Sequence, residues 1–224
     1  MSARNSPLPP PTRSATTPYK KGDETRDRIL NAALAAFGNS GFARVTTRQI
    51  AEEAGINLPA LNYYFGNKEG LYLACAHEIL ARYRESMAAV GEAALASLQG
   101  APDPDGARAQ LKLLLTALAR FLLTSASEQN RLFVQRELAD PGRAFEVLYA
   151  GLWRPGIELV AQLIIAASSA RLTTAQARVR AVMMIAGLTG FQSGAPIISR
   201  TMGKAASLTM VIEALEAQVD ALAR

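Results

Sequence analysis

Residues 46–65 read TTRQIAEEAGINLPALNYYF, and their spacing decides the architecture of the first third of the chain. Thr46 and Gln49 stand three apart around the start of an apolar-periodic run. This is the capping-box pattern, in which the threonine hydroxyl accepts from an orphan backbone N–H and the glutamine reaches back to the cap. It predicts a short helix through Ala54. Gly55 ends that helix, because a glycine takes the left-handed backbone of a tight turn without a Cβ clash. Asn57 suits the cap of a second helix, and Pro59 falls in its first turn, where a missing N–H costs little. Ile50 and Ala51 face inward, Ala51 being small enough for the second helix to approach, and Ile56 and Leu61 close the miniature core. Leu58, Pro59, Asn62 and Tyr63 are left pointing away from it. A second helix presented in this way fits the major groove of double-stranded DNA, whose width admits one helix.

Upstream, helical patterning starts at Asp23. Ile29, Ala33 and Phe37 share a face that Leu30 and Leu34 widen, and Gly41 after Asn39 and Ser40 reads as a helix C-terminus. Residues 1–22 are rich in Pro, Ser, Thr and Arg and read as a disordered, solvated tail; a basic arm touching phosphates is the alternative. Downstream of Lys68 the pattern is helical throughout, with helices expected over 69–98, 106–125, 128–139, 143–170, 174–200 and 205–223. The stretch GAPDPDG breaks the first of these from the second, and Pro155 should kink or split the fourth. With no alternating strand pattern and no internal repeat, the fold class is all-α. A three-helix helix-turn-helix domain over 23–68 follows the tail, and a helical bundle over 69–224 follows that domain.

The 224 residues carry a formal net charge of +5 and a sequence pI of about 9.6, which permits an acidic partner. The excess is uneven: four positive charges of the N-terminal part, Arg4, Arg13, Lys20 and Lys21, lie in the tail, and residues 23–68 balance five bases against five acids. DNA binding by that segment therefore rests on placement of a few side chains more than on bulk field. The single cysteine, Cys75, excludes an intrachain disulfide and fits a reducing, cytoplasmic setting. The N-terminus lacks the apolar core of a secretory signal. The uncharged run between Arg180 and Arg200 holds three glycines and a proline and reads as a buried helix, not a membrane span. An enzyme finds little support. His77 and Cys75 stand two apart on a helix and face different ways, and no nucleophile, metal or phosphate-loop motif is present. No metal and no cofactor is implied.

The segment resembles the TetR/AcrR family of bacterial repressors. The matching residues run in order through Thr46, Ile50, Ala51, Ala54, Gly55, Ile56, Asn57, Leu61, Tyr63, Phe65, Asn67, Lys68, Glu69 and Leu71, preceded by Ile29, Leu30, Ala32, Ala33, Phe37, Gly41 and Phe42. ELADPGRAF, the later Pro155 and FQSGAPIISRTMG resemble the CecR-like branch. The resemblance implies that Thr46, Thr47, Tyr63 and Lys68 contact phosphates, which set register. It implies that Arg48, Leu58, Pro59, Ala60, Asn62 and Tyr64 face base edges, with Asn57 at the helix start beside them. It further implies a homodimer built from the last two helices. There Leu208, Val211, Ile212, Leu215, Val219 and Leu222 form one stripe, and Ala186, Gly190 and Gly194 permit close helix approach, either between subunits or within one. The other helices would enclose a small-molecule effector pocket. Phe133, Tyr149, Trp153, Met183 and Met184 are candidates for its lining, with ordinary core as the alternative for each. Arg136 and Glu137 are candidates for a polar anchor or a structural ion pair. The helix over 69–98 joins both halves and is the expected lever.

Overall fold

The computed structural model describes residues 18–100, 103–203 and 207–223. Most of the expected tail lies outside these residues. Helix α1 (Pro18–Ser40) already begins within the last five residues assigned to that tail. It is followed by α2 (Thr47–Glu53) and α3 (Leu58–Phe65), with Gly41 and Gly55 at φ of +80° and +65° between them, in the left-handed region their positions demanded. The long α4 (Lys68–Ser97) leads into α5 (Pro104–Arg120), α6 (Glu128–Ala139), α7 (Arg143–Leu148), α8 (Arg154–Ala167), α9 (Thr174–Ser193), α10 (Ala195–Met202) and α11 (Leu208–Asp220). Among the described residues there is no strand.

Two expected helices are interrupted, each for a backbone reason. The stretch 143–170 divides at a π-helical turn, Tyr149–Trp153, closed by the Arg154 N–H donating to the Tyr149 carbonyl. Pro155 follows directly. It has no N–H to donate and its ring would meet the carbonyl of Gly151, so the chain widens its turn just before it. The stretch 174–200, expected as one buried helix, bends by 79° at Gly194, where Pro196 enters the first turn of α10. It buries one face only: Ala177, Ala181, Met184 and Leu188 are buried, while Val182, Met183 and Ile197 are 46, 68 and 72% exposed. Among the described residues no single helix is long and apolar enough to cross a membrane.

The buried side chains form two clusters. One joins Ile29, Leu30, Leu34, Phe37, Ile50, Ala51 and Leu61 to the first three turns of α4, and also to Phe133 of α6 and Ala144 and Leu148 of α7. The other fills the space between α4, α5, α8, α9 and α11. The helix-turn-helix thus does not close its own core at Lys68; it completes it on the bundle. Gly38 makes the closest part of that join. A Cβ there would sit 3.0 Å from the Leu132 Cβ and 3.2 Å from the Phe133 nitrogen, so α1 and α6 meet almost backbone to backbone.

Candidate nucleic-acid interface and effector cavity

The two ends of the helix-turn-helix are fixed by their caps. The Thr46 hydroxyl accepts from the Gln49 N–H at 3.2 Å, and the Gln49 carboxamide oxygen accepts from the Thr46 N–H at 2.9 Å. Asn57 accepts from the Ala60 N–H at 2.9 Å. Thr46 and Asn57 therefore commit their side-chain oxygens to holding helices. Beyond the caps, Arg48, Leu58, Pro59, Asn62 and Tyr63 are exposed, Tyr63 at 86%. Thr47, Ala60 and Lys68 are half-buried, as is Tyr64, which packs on the N-terminal core and lies edge-on to Tyr63 at 5.5 Å. The Lys68 ammonium stands 4.5 Å from the centroid of the Phe42 ring, a cation–π contact. Phe42 is held in turn by the edge of Tyr72 at 4.9 Å. Sequence reasoning gave Phe42 no role of its own; an aromatic directly after the helix-ending Gly41 was the available signal.

Behind this surface lies a cavity of about 480 Å³ walled by α4, α5, α6, α8 and α9, with Met87, Leu118, Phe121, Val134, Trp153 and Ile185 among its apolar groups. Both π-helical turns, Phe121–Ser125 and Tyr149–Trp153, contribute to the wall. Burial raises the Tyr83 phenol above its ordinary pKa, so it stays neutral in the wall. Most polar side chains around the cavity are occupied. Gln135 donates to the Ser193 hydroxyl at 2.6 Å, Gln192 to the Leu122 carbonyl at 2.5 Å, and Thr189 to the Ala186 carbonyl at 3.0 Å. Arg131 pairs with Glu128 at 3.5 Å and with the Gln135 oxygen at 3.1 Å.

Of the seven side chains expected around an effector, only Trp153 lines this cavity. Phe133 is 1% exposed and belongs to the N-terminal core, 4.9 Å from Tyr72. Arg136 donates to the carbonyls of Gly38 at 3.2 Å and Asn39 at 2.9 Å, capping the C-terminus of α1. Glu137, 3% exposed, accepts from the Tyr72 hydroxyl and from the Phe145 N–H. Tyr149 is 43% exposed and stacks on Phe145 at 5.9 Å. Met183 and Met184 border a separate groove between α9 and α11. Helical periodicity marks which residues turn away from water, but not which neighbour they meet, and α6 has a neighbour on each side.

A helix-turn-helix with an exposed second helix, fused through a shared core to a helical body with an apolar cavity, defines a DNA-binding regulator fold. Residues 29–75 match the family described as bacterial regulatory proteins, tetR family, and residues 107–224 match the C-terminal domain of the HTH-type transcriptional dual regulator CecR. The chain belongs to the TetR family, in the branch that carries the CecR C-terminal domain. It is 34% identical over 139 residues to the HTH-type transcriptional dual regulator CecR of Shigella flexneri, a match spanning 60% of this chain and 60% of that relative. Among solved structures it resembles a TetR-like transcriptional regulator from Rhodococcus sp. RHA1, with a TM-score of 0.64 and 20% identity over 87% of this chain and 93% of that one. It also resembles AibR in complex with isovaleryl coenzyme A and operator DNA, with a TM-score of 0.62 and 12% identity over 87% and 97%. At such identities the structural likeness speaks for the fold. The Shigella flexneri relative and the Rhodococcus structure are both described as transcriptional regulators.

Proposed function

We propose that the chain is a homodimeric transcriptional repressor that holds a near-palindromic double-stranded operator through α3 and releases it when a small molecule fills the cavity. The observation that carries this reading is the double role of α6. Asn130, Val134 and Leu138, one turn apart, line the cavity. Phe133, Arg136 and Glu137, on the other side of the same helix, grip α1, α4 and the start of α7. A molecule that widens or closes the cavity therefore moves a helix whose far face holds the DNA-reading unit. α4 shares the task, since Ile79, Tyr83 and Met87 line the cavity while Leu71 and Tyr72 sit in the N-terminal core. The ligand's leverage equals its differential affinity for the two conformers.

Thr47, Tyr63 and Lys68 are assigned to phosphates, and Arg48, Leu58, Pro59, Ala60 and Asn62 to base edges, while Thr46 and Asn57 are taken up in capping the two helices. Tyr64, half-buried against the core, braces Tyr63. The dimer face is assigned to the outer side of α9. Val179, Val182 and Met183 are exposed there, and a Cβ at Gly187 or Gly190 would meet nothing within 4 Å, leaving room for a second copy's backbone. Leu215 and Val219 of α11, and Leu222 just beyond it, are buried in the chain's own core, while Met210, Val211, Ala214, Leu215 and Gln218 border the groove next to α9. Paired in this way, two α3 helices would stand about 34–36 Å or a multiple apart.

Fluorescence anisotropy on labelled inverted repeats taken from the DNA flanking the gene tests this. Tight binding that weakens steeply with salt, and release by compounds that shift Trp153 emission, is the expected result. Failure to bind any flanking repeat at low salt, or binding indifferent to every compound that shifts Trp153, refutes it.

A further inference from the structure

We propose that Asn130 determines specificity in the cavity, and that the effector is a neutral, mainly apolar molecule whose single hydrogen-bond donor, a hydroxyl or amide N–H, ends on the Asn130 carboxamide oxygen. The inference rests on the cavity being the effector site and adds the chemistry of what fills it.

Asn130 forms part of the cavity wall and is 6% exposed. Among the described residues its Oδ1 is the one buried side-chain polar atom with no hydrogen-bond partner. Its backbone N–H is satisfied by the Ser127 hydroxyl at 3.3 Å, as the cap of α6 requires, so helix formation does not explain the side chain. Native structures rarely leave such an atom unpaired, and those that do call for a reason. The neighbouring polar groups offer none. The hydrogen-bonding ends of Gln135, Gln192, Thr189 and Arg131 are all directed elsewhere. Leucine in the same place would have left no unpaired atom, and the wall around it is already built of leucine, valine and phenylalanine. The carboxamide torsion is soft, so the oxygen turns readily to meet a donor inside the cavity.

Size and charge narrow the occupant. A volume of about 480 Å³ falls within the range of pockets that hold drug-sized molecules. Two charged wall residues, Arg84 and Glu92, have no ion-pair partner among the described residues and are exposed on α4. Arg131, the other charged wall residue, is already paired with Glu128, so a charged head group in the interior is costly, whereas a neutral donor is met by the Asn130 carboxamide once its oxygen turns toward the cavity. Both π-helical turns border the same space, and such widened turns frequently accompany functional sites.

The test uses the full chain and two matched probes, para-octylphenol and its methyl ether para-octylanisole, in which a methyl group replaces the donor hydrogen; the Asn130 variants control for the added methyl. Trp153, the only tryptophan, lies in the wall and reports binding. The wild type should bind the phenol roughly tenfold more tightly than the ether, and operator release should follow the same order. In Asn130→Leu, and in Asn130→Ala as a second and smaller replacement, the two probes should bind alike. The apo Asn130→Leu protein should melt no lower than wild type, since it loses an unpaired buried atom. Equal affinities in the wild type, or a preference for the phenol that survives both substitutions, overturns the role of Asn130 and leaves the cavity reading standing. No Trp153 response and no operator release with either probe overturns both.

Discussion

Replacing Glu137 with alanine removes one carboxylate from the junction of three helices. The side chain is 3% exposed and accepts from the Tyr72 hydroxyl on α4 and from the Phe145 N–H on α7 at 2.5 Å. Tyr72 is itself only 7% exposed, so neither donor finds ready replacement in water. A buried donor left without a partner costs about 1–3 kcal/mol. Two such donors set a ceiling of about 6 kcal/mol, and partial entry of water brings the expected loss to about 3 kcal/mol. For a chain of this size that corresponds to a drop in Tm of about 6–12 °C. Glu137→Gln keeps one acceptor but turns an NH2 toward the other donor, and should fall about halfway between. Burial first, and the bond to Glu137 second, raise the Tyr72 phenol above its ordinary pKa, so in either variant this tyrosine stays neutral at pH 7. Because the junction orients the start of α4, operator affinity should fall at temperatures where both variants remain folded. Urea titration, calorimetry and gel shifts measure these quantities. A Glu137→Ala protein within about 0.5 kcal/mol of wild type, the usual effect of a surface change, would refute the assignment of a structural joint.

Further outcomes test the other faces of the molecule. Asn62→Ala should relax base preference at one position of each half-site by about 1–3 kcal/mol, while Lys68→Ala should weaken all sequences and lower the salt slope by about one; unchanged binding in both would exclude α3 as the reading helix. Met183→Glu, at a site 68% exposed in the single chain, should leave the subunit's stability within about 0.5 kcal/mol and shift sedimentation toward monomer; a dimer as tight as wild type places the interface elsewhere. Arg136→Ala removes two carbonyl contacts and a positive charge from the end of α1 and should cost about 1 kcal/mol at this exposed position, read by thermal melting. Cys75 is fully buried, and burial raises its thiol well above the ordinary range, so iodoacetamide should label it slowly in the native protein at mildly alkaline pH and rapidly in urea; fast native labelling would contradict the packing of α4.

The helix-turn-helix was legible almost residue by residue because its determinants are local. Both caps, the left-handed Gly55, and the inward set of Ile50, Ala51 and Leu61 depend on neighbours within a few positions. The residues that line the cavity were not legible, because they depend on which helix stands opposite. Arg136 and Glu137 were singled out as a polar anchor or an ion pair, yet both turn toward α1, α4 and α7 instead of the cavity. Asn130, one turn before Val134 on the other side, passed unnoticed since it sits where a helix start ordinarily carries a polar residue. The uncharged run between Arg180 and Arg200 misled for a related reason. Its lack of charge reflects two apolar faces, one packed in the chain at Ala181, Met184 and Leu188 and one exposed at Val182, Met183 and Ile197.

The interleaving of two sets of positions along α6 has a consequence for how such proteins diversify. Positions 130, 134 and 138 meet the cavity, and 133, 136 and 137 meet the DNA-reading unit. The two sets share one short helix, and of the first only Val134 also packs against the N-terminal core. On the proposed reading a duplicated gene acquires a new chemical sense by changing positions 130 and 138, keeping intact the joint through which the signal would be delivered. The same separation gives an engineer building a biosensor a short list of letters to randomise and another to leave untouched.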